Sequence, residues 1–219
     1  VAELIALAVR LGGLVGIGGP KMDNMFLSAW AWAGVSPFRY TKLIAADWGG
    51  TRTPMVISWP NRIQPDKTPR PQFTHVKDVV PTIYDLLEIT PHRVVDGHEQ
   101  DPSDGVSFAY TFDSPKAPER KTTQYFDIMG SRGVYHKGWM ASTFGPKTPW
   151  VAAMPDLANW DPEQDEWQLF DTRNDYSLMN NLASENPEKL EELKKLFMQV
   201  AEENKVLPIG GGMYTGLNP

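Results

Sequence analysis

The 219-residue chain has no cysteine, and that absence removes disulfide frameworks, thiolate zinc sites and thiol nucleophiles together. It leaves the compartment open, because a cysteine-free protein suits either redox environment. Any metal would have to rest on oxygen and on the four histidines. Positive charge is also short: 21 Lys and Arg stand against 27 Asp and Glu, a net charge of −6 with no basic block. The electrostatic footprint of a duplex-binding protein is missing, so no nucleic-acid partner is expected. Nor is there a long clean apolar run. The longest, Val1 to Pro20, is interrupted by Glu3 and Arg10 and studded with glycine, which makes it a poor bilayer-spanning helix. It also lacks the basic start and small-residue cleavage site of a signal peptide, and the chain does not begin with Met. The expectation is a soluble protein with no membrane segment.

What is present is ordinary globular material, 41% hydrophobic and 22% charged, enough for one sizeable core or two small ones. Three stretches differ in character. Residues 1–120 read as α/β: a helical opening at Val1 to Leu11, an apolar run of strand length at Pro54 to Trp59, and a helix from Val79 to Glu88. That helix has Pro81 in its first turn and Val80, Ile83, Leu86 and Leu87 on one face. Residues 90–120 crowd proline, glycine and acidic side chains and predict an irregular surface loop, with strand-like alternation at Val106, Phe108, Tyr110 and Phe112.

Residues 121–207 read as three strands and a helix. The strands are Thr123 to Met129, Gly133 to Thr143 and Glu166 to Asp171. The helix, residues 187–204, has Asn186 as N-cap, Pro187 at the first position, and Leu190, Leu193, Phe197 and Val200 at helical spacing. One small antiparallel sheet covered by that C-terminal helix is the economical arrangement. Residues 208–219 form a glycine-rich tail.

For chemistry the informative stretch is Pro37 to Pro60, PFRYTKLIAADWGGTRTPMVISWP. Lys42 sits among apolar residues, just before a tight Gly49-Gly50 turn. A lysine there can neutralise a bound tetrahedral oxyanion as a compact point charge. Alternatively its stem packs over Trp30 or Trp32 while the ammonium reaches water.

These residues resemble the sulfatase family of the alkaline phosphatase superfamily. Ser36-Pro37-Phe38 with Lys42 is similar to the family's T-P-F-x-x-x-K element, and Gly49-Gly50-Thr51-Arg52-Thr53-Pro54 with Trp59-Pro60 to its G-G-x-R-x-P and W-P elements. His75 to Thr82 resembles H-V-x-D-x-x-P-T. Asp96-Gly97 and Asp104 to Ser107 resemble a D-G-x-S loop, and Trp167 to Asp171 with Asp175 and Asn181 to Ala183 resembles the W-x-L-Y-D…D…N-L-A ending. The order of the elements matches a middle-to-C-terminal portion, and Trp30 to Ala33 resembles the lead-in of the larger bacterial arylsulfatases.

The resemblance implies the late part of an alkaline phosphatase-like α/β sheet, followed by the small antiparallel subdomain. It implies sulfuric ester hydrolysis of a sulfate ester by a formylglycine, made from Cys or Ser in C/S-x-P-x-R, with Ca²⁺ as cofactor. Lys42 is carried over as the sulfate-binding and catalytic lysine. In Val35 to Arg39 the nucleophile position of that frame is held by Val35, so the formylglycine is expected outside this chain, with a missing N-terminal half. No metal ligand is assigned: Asp23-Asn24 is the one pair considered for calcium, and it reads as a loop or cap. A bacterial cytoplasmic or periplasmic setting follows from the same likeness.

Other residues read structurally. His75 is expected as a hydrogen-bonded helix-entrance histidine, and His92, His98 and His136 lack ligand spacing. Arg52 is expected to pin its turn to Asp47 or Asp78. Gly130-Ser131-Arg132 suits a hairpin turn at least as well as an anionic pocket. The eight tryptophans are expected as core and sheet-cover residues and not as a sugar-binding face. Two further functions stay open: a non-catalytic binding or assembly module with this fold, and a phosphoester or phosphonate hydrolase of the same superfamily.

Overall fold

A computed structural model describes residues 19–20, 28–146 and 159–210. The helical opening at Val1 to Leu11, the Asp23-Asn24 pair and residues 211–219 of the tail lie outside the described residues. In chain order the elements are α1 (Ser28–Val35), α2 (Trp48–Thr51), α3 (Val79–Leu86), β1 (Val94–Val95), β2 (His98–Glu99), α4 (Tyr110–Asp113), β3 (Thr123–Ile128), β4 (Ser131–His136), β5 (Trp139–Thr143), β6 (Gln168–Asp171) and α5 (Pro187–Glu203).

Strands β3 to β6 pair in sequence order as a four-stranded antiparallel meander. The expected strand Gly133 to Thr143 is in fact two strands. Lys137 and Gly138 have φ of 46° and 84°, the left-handed pair that a two-residue hairpin turn requires, and Met129-Gly130 repeats the device with 53° and 85°. Register follows from these turns: Val134 lies opposite Ala141 and Ala141 opposite Leu169, while Tyr135, Met140 and Phe170 form the neighbouring row.

Because side chains alternate along a strand, the two rows face opposite ways. Val134, Ala141 and Leu169 pack under α5 with Leu193, Phe197 and Ala201. Tyr135, Met140 and Phe170 pack under Phe38, Trp48 and Leu178, so the segment around residues 36–48 covers the second face. Pro187 occupies the first turn of α5 as expected, but the Asn186 side chain makes no cap bond and instead donates to the Leu182 carbonyl at 3.4 Å.

The region before residue 120 departs further from the reading. The run Pro54 to Trp59 joins no ladder among the described residues, and Met55, Val56 and Ile57 are 51%, 93% and 41% exposed. Helix α3 forms where its pattern predicts, yet Val80, Ile83 and Leu87 face outward. The alternation at Val106 to Phe112 is broken by α4. Backbone N–H groups order that loop instead, Val106 donating to Asp78 Oδ1 at 2.9 Å and Phe108 to Thr82 Oγ1 at 3.1 Å. No helix among the described residues is long and apolar enough to cross a membrane.

Candidate functional site

The loop carrying Lys42 is closed from several sides. A Cβ on Gly49 would lie 1.9 Å from the Arg39 carbonyl oxygen, and one on Gly50 would lie 1.9 Å from that of Ile44. Only glycine lets the 48–52 turn settle onto residues 39–44. Asp47, fully buried, accepts from the Gly49 N–H at 3.2 Å as N-cap of α2, and the Arg39 guanidinium lies 3.0 Å from its Oδ2. Burial outweighs those favourable contacts and pushes the Asp47 carboxyl up to about 6.

Two buried serines of the sheet then grip the next residue back. The Ala46 N–H donates to Ser131 Oγ at 3.2 Å, and Ser142 Oγ donates to the Ala46 carbonyl at 2.8 Å. No local pattern signalled this pair; it depends on the register of β4 and β5. Lys42 itself is exposed and makes no hydrogen bond or ion pair among the described residues. The arrangement is a tightly packed loop that presents the Lys42 ammonium to solvent with no ion pair among the described residues.

Arg52 corrects an expectation. Asp47 is engaged with Arg39, and Asp78 with Lys121 at 3.0 Å, so neither carboxylate pins the Arg52 turn. The Arg52 guanidinium instead lies over Tyr176, 4.2 Å from the ring centroid, with Phe38 and Trp48 at 5.5 and 5.9 Å. Its acidity is raised by burial.

His75 sits as expected at a helix entrance. Its Nδ1 accepts from the Lys77 backbone N–H at 3.3 Å while the His75 backbone N–H donates to Asp78 Oδ2 at 2.7 Å, a reciprocal capping box. Burial, then Lys121 and Lys77, hold its imidazole below the usual value. His136 bonds Thr123 Oγ1 at 2.8 Å, and His92 and His98 are exposed. Arg132 is buried and spent on Asp165 at 2.6 Å and the Gly130 and Pro162 carbonyls, so residues 130–132 form a turn and no anionic pocket. Among the tryptophans, Trp48 is core, but Trp30 and Trp32 are 67% and 49% exposed, contrary to a core role.

The x-x-P-x-R stretch ending at Arg39 carries no chemistry here, since Arg39 donates to the Leu178 carbonyl at 2.6 Å and pairs with Asp47. A second stretch, Ser58-Trp59-Pro60-Asn61-Arg62, satisfies S-x-P-x-R in frame. Ser58 is exposed on the extended run, and Arg62 forms a two-pronged pair with Asp113 at 2.8 and 2.6 Å. With its arginine so engaged, the frame is not assigned a catalytic role. Among the described residues no three His, Asp or Glu side chains converge as a cation site would need, so none is assigned to calcium.

Residues 19–89 match the sulfatase family model. The uncharacterized sulfatase PB10D8.02c of Schizosaccharomyces pombe is 29% identical over 185 residues, covering 81% of this chain and 30% of that protein. The crystal structure of Ps i-CgsB superposes with a TM-score of 0.53 at 18% identity, over 80% of this chain and 34% of that one, a likeness of fold alone. The chain carries a sulfatase domain match at residues 19–89 and resembles a sulfatase over most of its length, while spanning about a third of the length of the relatives it matches.

Proposed function

We propose that the chain is part of a sulfuric ester hydrolase and that Lys42 binds the sulfate group of its substrate. The observation that carries the reading is the exposed Lys42 ammonium, without an ion pair among the described residues, on a loop fixed by Gly49, Gly50, Asp47, Ser131 and Ser142. A cation held without a counter-ion is free to meet an oxyanion, and a loop already ordered loses little entropy when it does. A sulfate ester carries one negative charge, and more accumulates on the leaving oxygen as the S–O bond breaks. The lysine therefore stabilises the transition state beyond the ground state. Formylglycine and calcium are the family's means of attacking sulfur; on this reading they reside in polypeptide outside this chain, and Lys42 contributes charge alone.

In the full-length protein, Lys42→Ala should lower kcat/KM on an aryl sulfate by about 30- to 1000-fold, the range for deleting one oxyanion contact. Near-normal turnover by that variant would remove Lys42 from the site. The chain of residues 1–219 alone should not hydrolyse an aryl sulfate even with millimolar Ca²⁺. Turnover that survives repurification overturns that half of the reading, and Ser58→Ala is then the first variant to make.

A further inference from the structure

Arginines stacked on aromatic rings recur in this molecule, and most of them have a carboxylate as well. Arg39 lies over Tyr40 and pairs with Asp47; Arg132 lies over Trp167 and pairs with Asp165; Arg173 lies over Trp139 and pairs with Asp171. Arg52 has the most extensive aromatic setting, against Tyr176, Phe38 and Trp48, and pairs with no carboxylate among the described residues. Its five N–H donors make no hydrogen bond among the described residues. The acidic groups close to it in sequence or stacking partner are engaged: Asp47 with Arg39 and the Gly49 N–H, and Asp175 with the Asn180 N–H at 2.7 Å.

We infer that Arg52, held in plane by Tyr176, Phe38 and Trp48, is an anion subsite that takes a small oxyanion, a carboxylate or a sulfate group. A guanidinium with its face on a ring keeps its N–H edge for a planar two-pronged contact, the geometry that carboxylates and sulfates offer. Arg52 stands at the surface, so the N–H edge that its rings leave uncovered is open to an incoming anion. The 48–52 turn packs on residues 39–44, so Arg52 and Lys42 leave one packed loop assembly at its two ends. The inference does not depend on the assignment of Lys42. If both hold, the substrate has a second acidic group beside the ester that is cleaved.

The test is phenylglyoxal labelling of arginine in the intact chain, mapped by mass spectrometry in sodium sulfate, sodium acetate or sodium chloride at equal ionic strength. Arg120, stacked on the single ring of Tyr110 and without an ion pair among the described residues, is the internal control. Sulfate and acetate at several times their dissociation constants should slow labelling of Arg52 about fivefold and leave Arg120 unchanged, with chloride protecting neither. Equal rates at Arg52 in all three salts, or equal slowing at Arg52 and Arg120, overturns the subsite and leaves Arg52 a staple between the turn and Tyr176. The same protection in Lys42→Ala keeps the subsite separate from the Lys42 site. Loss of protection in that variant overturns the separation, and the kinetics of Lys42→Ala remain an independent check on the sulfate reading.

Discussion

Helices α3 and α5 start alike and end differently. Each opens with a proline in its first turn and carries apolar residues on one face, yet Leu193 and Phe197 of α5 are fully buried while Val80 and Ile83 of α3 are 52% and 46% exposed. The difference lies in what surrounds them. Two tight hairpin turns build a sheet under α5 from the same chain, whereas α3 and the extended run at residues 54–59 have no apolar surface over them among the described residues. An amphipathic pattern specifies that a face is to be covered and is silent on what covers it.

The comparison is broken most directly by truncating both helices. Phe197→Ala should cost about 3–5 kcal/mol, because the ring fills the space between the sheet, Tyr125 and Trp167. Ile83→Ala should stay within about 0.5 kcal/mol. Urea midpoints for the two variants decide it, and equal losses would mean that α3 is covered after all. The exposed apolar residues of α3 and the 54–59 run also make self-association the expected state of the isolated chain. Light scattering should report it, and Val56→Lys with Ile83→Lys should reduce it without moving the midpoint; a sharp monomer in the unaltered chain refutes the expectation.

Between the two regions runs a buried ion pair. Lys121, just before β3, reaches Asp78 at the start of α3, and both are 5% exposed or less. Asp78 also accepts from the His75 and Val106 N–H groups, so it ties three segments together. Lys121→Met leaves that carboxylate buried without its cation and should cost about 3 kcal/mol. If instead the variant is neutral, the α3 region is not coupled to the sheet, and the two regions unfold apart.

Local signals carried a good part of this. The helix at Pro187, the strands at Thr123 and Gln168, and the His75 cap all follow from periodicity, proline placement and capping residues within a few positions of each other. The Lys137-Gly138 turn is also legible, as an x-Gly dipeptide between the apolar pairs Val134-Tyr135 and Trp139-Met140. What could not be read were contacts set by register and by distance along the chain. Ser131 and Ser142 meet Ala46 across more than 80 residues, and Arg52 finds Tyr176 across more than 120. Each of these is central to the candidate site, because a loop is positioned by the scaffold behind it and not by its own sequence.

A pH series sharpens the account of that scaffold. The folded Asp47 carboxyl, at about 6, lies above its ordinary value of 3.8, so the native state binds a proton that the unfolded chain gives up between those values. Its contribution is therefore fully present below about pH 3.8 and is lost as pH rises through about 6. Other carboxylates with lowered values, Asp171 among them, act in the opposite direction, so the quantity to follow is the difference between the unaltered chain and Asp47→Asn. That difference should turn against the unaltered chain by up to about 3 kcal/mol between pH 4 and pH 7. A flat difference would mean that Arg39 keeps Asp47 ionised throughout.

The smallest expected effect separates the two cations of the packed loop. Arg52 lies against Tyr176, Phe38 and Trp48, so Arg52→Ala removes ring contacts as well as charge, at about 1–2 kcal/mol. For a chain of this size that is a fall of roughly 2–8 °C in Tm. Lys42 makes no hydrogen bond or ion pair among the described residues and is exposed, so Lys42→Ala removes nothing that the fold depends on. Its Tm should stay within about 2 °C of the unaltered chain, the range for surface substitutions. A small thermal effect together with a large loss of activity is the signature of a residue kept for binding. If Lys42→Ala melts as early as Arg52→Ala, its stem is packing against the loop and the sulfate assignment loses its footing.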